Sequence, residues 1–174
     1  MAAVDPIVYA RLCKLFPFLT PRQATNCCFY SLGVNHQDIS TLVGTSPIAV
    51  KKSIESSQKY FQTDSLPELK TVFWTRFTYR QICMKYHIGD NQSGIVSSDA
   101  FKPIHHIFPE LNRKQIFCVI HNCAGFTISD ISQHSNVSVS DLEIYLREGM
   151  KLLEATTHSL LQVLVTSRFV LDLC

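Results

Sequence analysis

"LTPRQATNCCFYSLGVNHQDISTLVGTSPIAVKK", residues 19–52, decides how this chain folds. Thr20 stands where a helix N-cap is wanted and Pro21 follows it, while Gly33 falls where a left-handed residue closes a helix. "HQDISTLV" supplies a short second helix. Ser46 then caps a third, with Pro47 in a first turn where a missing N–H costs nothing. Val50, Ile54, Ser57 and Phe61 fall on one stripe of that third helix and give it a buried face. Asp64 or Ser65, with Pro67 soon after, starts a fourth helix through "ELKTVFWTRFTYRQICMKY". No segment carries a strand signal, so the expected class is all-α.

The same arrangement returns further along the chain as "FPELNRKQIFCVIHNCAGFTISDISQHSNVSVSDLEIY", residues 108–145. Sliding the sequence against itself gives one ungapped register, at offset 92, in which residues 16–82 face residues 108–174. Thirteen of the 67 pairs are identical, among them Phe16/Phe108, Gln23/Gln115, Gly33/Gly125, Asp38/Asp130, Ile39/Ile131, Ser46/Ser138 and Arg76/Arg168. Chance would supply about 4. A match that keeps register across a whole unit implies duplication of a fold unit. In the second copy Asn112 and Arg113 open the first helix, Gly125 closes it, and "SLLQVLVTSRFVLDLC" forms the fourth. "HIGDNQSGIVSSD", residues 87–99, gathers Gly, Asp, Asn, Gln and Ser and reads as a connector. The break is placed near residue 90, giving units 1–86 and 87–174.

Bulk properties bound the function without choosing it. With 174 residues, 46% hydrophobic and 17% charged, the chain has ordinary globular composition. A net charge of +2 and a pI near 8.2 are too mild to diagnose a nucleic-acid binder from the whole chain. The stretch "MAAVDPIVYARLCKLF" has no secretory signature and no run approaches a membrane span, so a cytosolic location is expected, with no membrane contact. Seven cysteines, Cys27, Cys28 and Cys118 among them, sit in apolar runs and are expected as reduced thiols. Cys118, His121 and Cys123, with His105 and His106 nearby, lack the spacing of a metal site; buried thiols and surface histidines are the expectation, with no metal or cofactor. Nor does an enzyme motif appear: GxSxG, P-loop and HExxH are absent, and six glycines leave few phosphate-cradling loops.

Leu19-Thr20-Pro21-Arg22-Gln23, Gly33, Asp38-Ile39-Ser40, Val43-Gly44-Thr45-Ser46 and Val50-Lys51 together resemble the LuxR/FixJ-type helix-turn-helix family. The likeness covers residues 19–61 and, through the repeat, 111–153. It implies two tandem four-helix units, a bacterial transcription regulator, and double-stranded DNA as partner. In that reading Ile39 and Val43 are buried between the second and third helices, and the third helix enters the major groove N-terminus first. The candidate DNA-contacting residues are Asn35, Gln37, Ser46, Ile48, Ala49, Lys51, Lys52 and Ser53, with both lysines meeting phosphate. Asn35 and Gln37 are read equally as helix-capping residues.

Two departures pull against DNA reading. Ile48 and Ala49 stand where the family carries polar side chains and can touch only a thymine methyl. In the second copy Asp141 and Glu143 lie on the equivalent helix and Asn136 replaces the turn glycine, and a carboxylate repels phosphate. Counted over units 1–86 and 87–174, the net charges are +5 and −3, which assigns DNA contact to the first unit and pairing or partner binding to the second. The fourth helices, through Leu69, Phe73, Phe77, Leu161, Leu164 and Phe169, are rich enough in apolar residues to pair. In the family this helix mediates dimerisation. Here it could join the two copies as an internal pseudo-dimer, pair two chains, or pack wholly as local core. The alternative to DNA binding is a degenerate helix-turn-helix that modulates another regulator by heterodimerisation.

Overall fold

A computed structural model of the chain describes residues 16, 18–89 and 95–174. Residues 1–15, Pro17 and residues 90–94 of the expected connector lie outside the described residues. The described residues are all-helical, with no strand. Their contacts divide into two compact units, one running to Phe73 and the other starting at Trp74.

In the first unit, α1 (Pro21–Ser31) starts at Thr20, whose hydroxyl accepts the Gln23 amide at 3.3 Å while the Gln23 side-chain oxygen accepts the Thr20 amide at 2.8 Å. This reciprocal pair satisfies two N–H groups that the first turn cannot bond internally. Asn35 caps α2 (His36–Val43), accepting the Asp38 amide at 3.0 Å. That helix ends on Gly44, left-handed at φ 66°, a conformation that crowds a Cβ and so suits glycine. Ser46 and Pro47 open α3 (Pro47–Tyr60). Its inward stripe of Val50, Ile54 and Ser57 is fully buried, and α1 and α2 both pack on it. Removing side chains such as Val50 and Ile54 from water contributes about 1.5–3 kcal/mol each. Phe16 stacks on Phe73 with ring centroids 4.7 Å apart and meets Phe61 edge-on at 5.8 Å.

The second unit repeats these devices in register. Helix α5 (Arg113–Cys123) begins at Asn112 with the same reciprocal bonds to Gln115; α6 (Ile128–His134) is capped by Thr127, and α7 (Val139–Leu152) by Ser138. Gln23 donates to Ser56 Oγ at 2.8 Å, and 92 residues later Gln115 donates to Glu148 Oε2 at 2.9 Å. After the third helix of each copy one non-glycine residue turns left-handed, Gln62 at φ 53° and Glu154 at φ 54°. The expected closing glycines do so too, Gly33 at φ 97° and Gly125 at φ 85°.

Three features differ from the expected plan. The boundary between compact units falls inside α4 (Leu66–Lys85), not in residues 87–99. Tyr79, Ile82 and Cys83, on the C-terminal half of α4, belong to the core of the second unit along with Ile88, Ile95 and Val96 from the expected connector. Next comes a 3-10 segment, Ser98–Ile107, that the connector reading overran. Phe101, Ile104 and Ile107 are all buried there, and a three-residue period places them on one face of a 3-10 helix. Finally, the turn between α6 and α7 contains no left-handed residue, because Asn136 is not among the positive-φ positions. It is closed instead by side chains, Ser132 donating to Val137 O at 2.8 Å and Ser135 to Ile131 O at 2.6 Å.

Helix α8 (His158–Leu173) completes the second core through Leu161, Val165 and Phe169. Where α5 meets α7 the packing is tight: a Cβ added at Gly149 would stand 2.6 Å from Val119 Cγ2. The corresponding residues of the first unit are Ser57 and Cys27, a different division of the available volume.

Candidate nucleic-acid interface

The candidate face lies on the outer side of α3 and the adjoining end of α2. Burial of Val50, Ile54 and Ser57 turns Ile48, Ala49, Lys51 and Lys52 outward. Ile48 is 69% exposed and Leu42, on α2, 42%. Lys51 approaches Glu55 at 3.9 Å one turn on, a contact worth about 0.3–0.5 kcal/mol between side chains this solvated. Both lysines are exposed.

The polar candidates divide differently. Asn35 is consumed by its cap, since its oxygen takes the Asp38 amide and its nitrogen donates to Asp38 Oδ2 at 2.7 Å. Ser46 Oγ likewise accepts the Ala49 amide at 3.2 Å. The Ser53 hydroxyl is buried with no hydrogen-bond partner among the described residues, so it contributes nothing to the outer face. Gln37 remains exposed, and its carbonyl receives the Ser40 and Thr41 hydroxyls.

On the second unit, Asp141 occupies the third position of α7, where its amide donates to Ser138 Oγ at 3.1 Å and its carboxylate accepts the Ser138 hydroxyl at 2.7 Å. A carboxylate in the first turn faces the positive end of the helix dipole, so this acid has a structural reason to be there. Glu143, at the position of Lys51, is exposed.

Charge redistributes once the boundary is moved. Division at Phe73/Trp74 leaves seven Lys/Arg against five Asp/Glu in the first part and nine against nine in the second, net +2 and 0. Arg76, Arg80 and Lys85 account for the change. Arg76 is 8% exposed with its guanidinium 4.4 Å from the Phe126 ring centroid, and Lys85 binds Asp172 Oδ2 at 3.0 Å. Both serve the second unit. The +5/−3 asymmetry therefore came from where the chain was cut.

The apolar residues singled out on the fourth helices are largely spent inside. Leu69 and Phe73 are buried, Leu161 and Phe169 lie in the second core, Leu164 packs partly against it, and Phe77 is half-buried, edge-on to Trp74. On α8 the exposed apolar groups are instead Leu160, Val163, Val170 and Leu171.

His121 is a core residue, not a surface histidine. Its Nδ1–H donates to Phe117 O at 2.8 Å, while Nε2 accepts the Val96 amide at 3.2 Å and lies 3.3 Å from the Tyr79 hydroxyl. An amide can only donate, so Nε2 carries the lone pair and the ring is neutral. Burial pushes its pKa down to about 4. Nearby Cys118 donates its thiol to Leu142 O at 3.2 Å, and burial raises it to about 12, leaving an inert core thiol.

At one corner of the second unit, Asp172 gathers Lys85, Tyr86 and His106. Burial alone would raise its pKa, but the hydrogen bonds from His106, Lys85 and Tyr86 hold it below the usual carboxylate range. These partners are 66 to 87 residues distant in the chain, so no local pattern announced them.

Among the described residues no helix is long and apolar enough to cross a membrane. No family model, no curated protein and no solved structure matches the chain.

Proposed function

We propose that the first unit is a DNA-binding module of a transcription regulator, engaging duplex DNA with the outer face of α3. The observation that carries this reading is the pair Lys51 and Lys52, both solvent-facing, one turn beyond a serine-capped helix start that follows a tight glycine turn. A helix presented in this way matches the width of the major groove, and two ammonium groups on its flank suit phosphate. Arg22 and Lys59 are further exposed cations of the same unit.

The test uses the full chain and a fluorescent duplex, titrated over a salt series. Reversing Lys51→Glu and Lys52→Glu together should weaken binding at every sequence and reduce the slope of log K against log salt by about 2, close to one unit per lost phosphate contact. Unchanged affinity and slope would remove α3 from the interface.

A second reading, a docking module that modulates another regulator, draws on the exposed Ile48 and Leu42 and on the near-balanced charge of both units. Retention on heparin or generic duplex at moderate salt separates the two, because a protein-docking surface with this charge washes through.

A further inference from the structure

The chemistry of the first turn of α3 narrows what kind of DNA this face would take, an inference that rests on the DNA-binding reading. Side chains at the start of a groove-entering helix are the ones that reach base edges. Here those available are aliphatic: Ile48 at 69% exposure, with Ala49 exposed beside it. Three of the polar candidates are occupied elsewhere, while Gln37 lies on α2 and not on this turn. Ser46 Oγ holds the Ala49 amide, Asn35 is closed on Asp38, and the Ser53 hydroxyl is buried. Lys51 and Lys52, one turn on, flank this apolar tip with charge.

In the major groove every base edge presents hydrogen-bond donors or acceptors, which an isoleucine cannot answer. The apolar group it can meet there is the methyl on pyrimidine C5, which thymine carries beside its O4 acceptor and 5-methylcytosine beside its amino group. The second unit offers the opposite chemistry at the same place, Ser140 and Asp141 in place of Ile48 and Ala49.

We propose that the first turn of α3 selects duplex DNA displaying pyrimidine C5-methyl groups, with Ile48 and Ala49 as the specificity-determining contacts and Lys51 and Lys52 as sequence-blind anchors. The experiment titrates the full chain, at one low salt concentration, against four fluorescent duplexes. Two share an A·T-rich sequence and differ only in thymine against uracil. Two share a G·C-rich sequence and differ only in cytosine against 5-methylcytosine. Loss of the methyl should weaken binding about fourfold for each methyl covered, the effect expected from one buried carbon. Ile48→Ser, at an exposed position that leaves the core untouched, should abolish the difference within each pair of duplexes; a circular dichroism melt verifies its fold.

Gain from both thymine and 5-methylcytosine supports methyl recognition whatever its source, and gain from thymine alone supports it and assigns the source. Equal binding of thymine and uracil duplexes by the wild type overturns the inference and leaves DNA binding intact. A difference that survives in Ile48→Ser also overturns it. Binding to none of the four duplexes overturns the DNA-binding reading itself.

Discussion

Helices α3 and α7 start from the same serine cap and part company within one turn. Ser46 and Ser138 each accept the amide three residues on, at 3.2 Å and 3.1 Å. Inside, Val50 and Leu142 are both fully buried. Outside, Ile48, Ala49 and Lys51 correspond to Ser140, Asp141 and Glu143. The two helices share what the backbone needs, N–H groups satisfied at the helix start and a stripe removed from water, while their exposed positions carry opposite chemistry.

Acid stability separates the two units most sharply at His121, whose counterpart in the first unit is Phe29. Its folded pKa of about 4 lies below the ordinary 6.5, so below pH 6.5 the unfolded chain takes up a proton that the folded chain refuses. Stability from this group is whole above pH 6.5 and drains as the pH falls towards 4, by up to about 3 kcal/mol at about 1.4 kcal/mol per pH unit. Chemical denaturation between pH 7.5 and 4.5 should show the second unit weakening through this window. His121→Gln, able to accept from Val96, should flatten the profile. A pH profile that keeps its slope in His121→Gln would mean that His121 does not carry the acid sensitivity.

Next comes the packing of α5 on α7. Gly149→Ser, which installs the residue of the first unit, forces an atom to 2.6 Å from Val119 and should cost about 1–3 kcal/mol. Combining it with Val119→Cys transfers the first unit's whole pair, Cys27 and Ser57, and should recover most of that loss. Additive losses in the double variant, read from denaturation midpoints, would show that the two pairs are not interchangeable solutions.

The smallest effect separates the turns. Gly44→Ala places a Cβ on a left-handed residue at φ 66° and should cost about 1 kcal/mol, whereas Asn136→Ala, where the turn is held by the Ser132 and Ser135 hydroxyls, should be close to neutral. Equal costs would put Asn136 in the role that the glycine plays.

Much of the helical plan was readable because its determinants act over three or four residues. Thr20, Ser46 and Asn112 cap the helices they were expected to cap, and Gly33 and Gly125 take the closing conformation. The candidate site was readable only in part. Exposure of Lys51 and Lys52 follows from helical period, and the capping alternative for Asn35 from its place before α2, but the sequence did not decide between capping and DNA contact for Asn35 or show that the Ser53 hydroxyl would be buried.

What the sequence alone determined is the all-helical class, the register of the repeat and the outward side of α3, since capping, turn chemistry and a 3.6-residue period are short-range. The tertiary structure decided which residues share a core. It drew the C-terminal half of α4 and residues Ile88, Ile95 and Val96 into the second unit, placed Arg76 against Phe126, and sealed His121 among Tyr79, Phe117 and Val96. Burial depends on contacts between segments far apart in the chain, and no count of charges or periods along the sequence contains them.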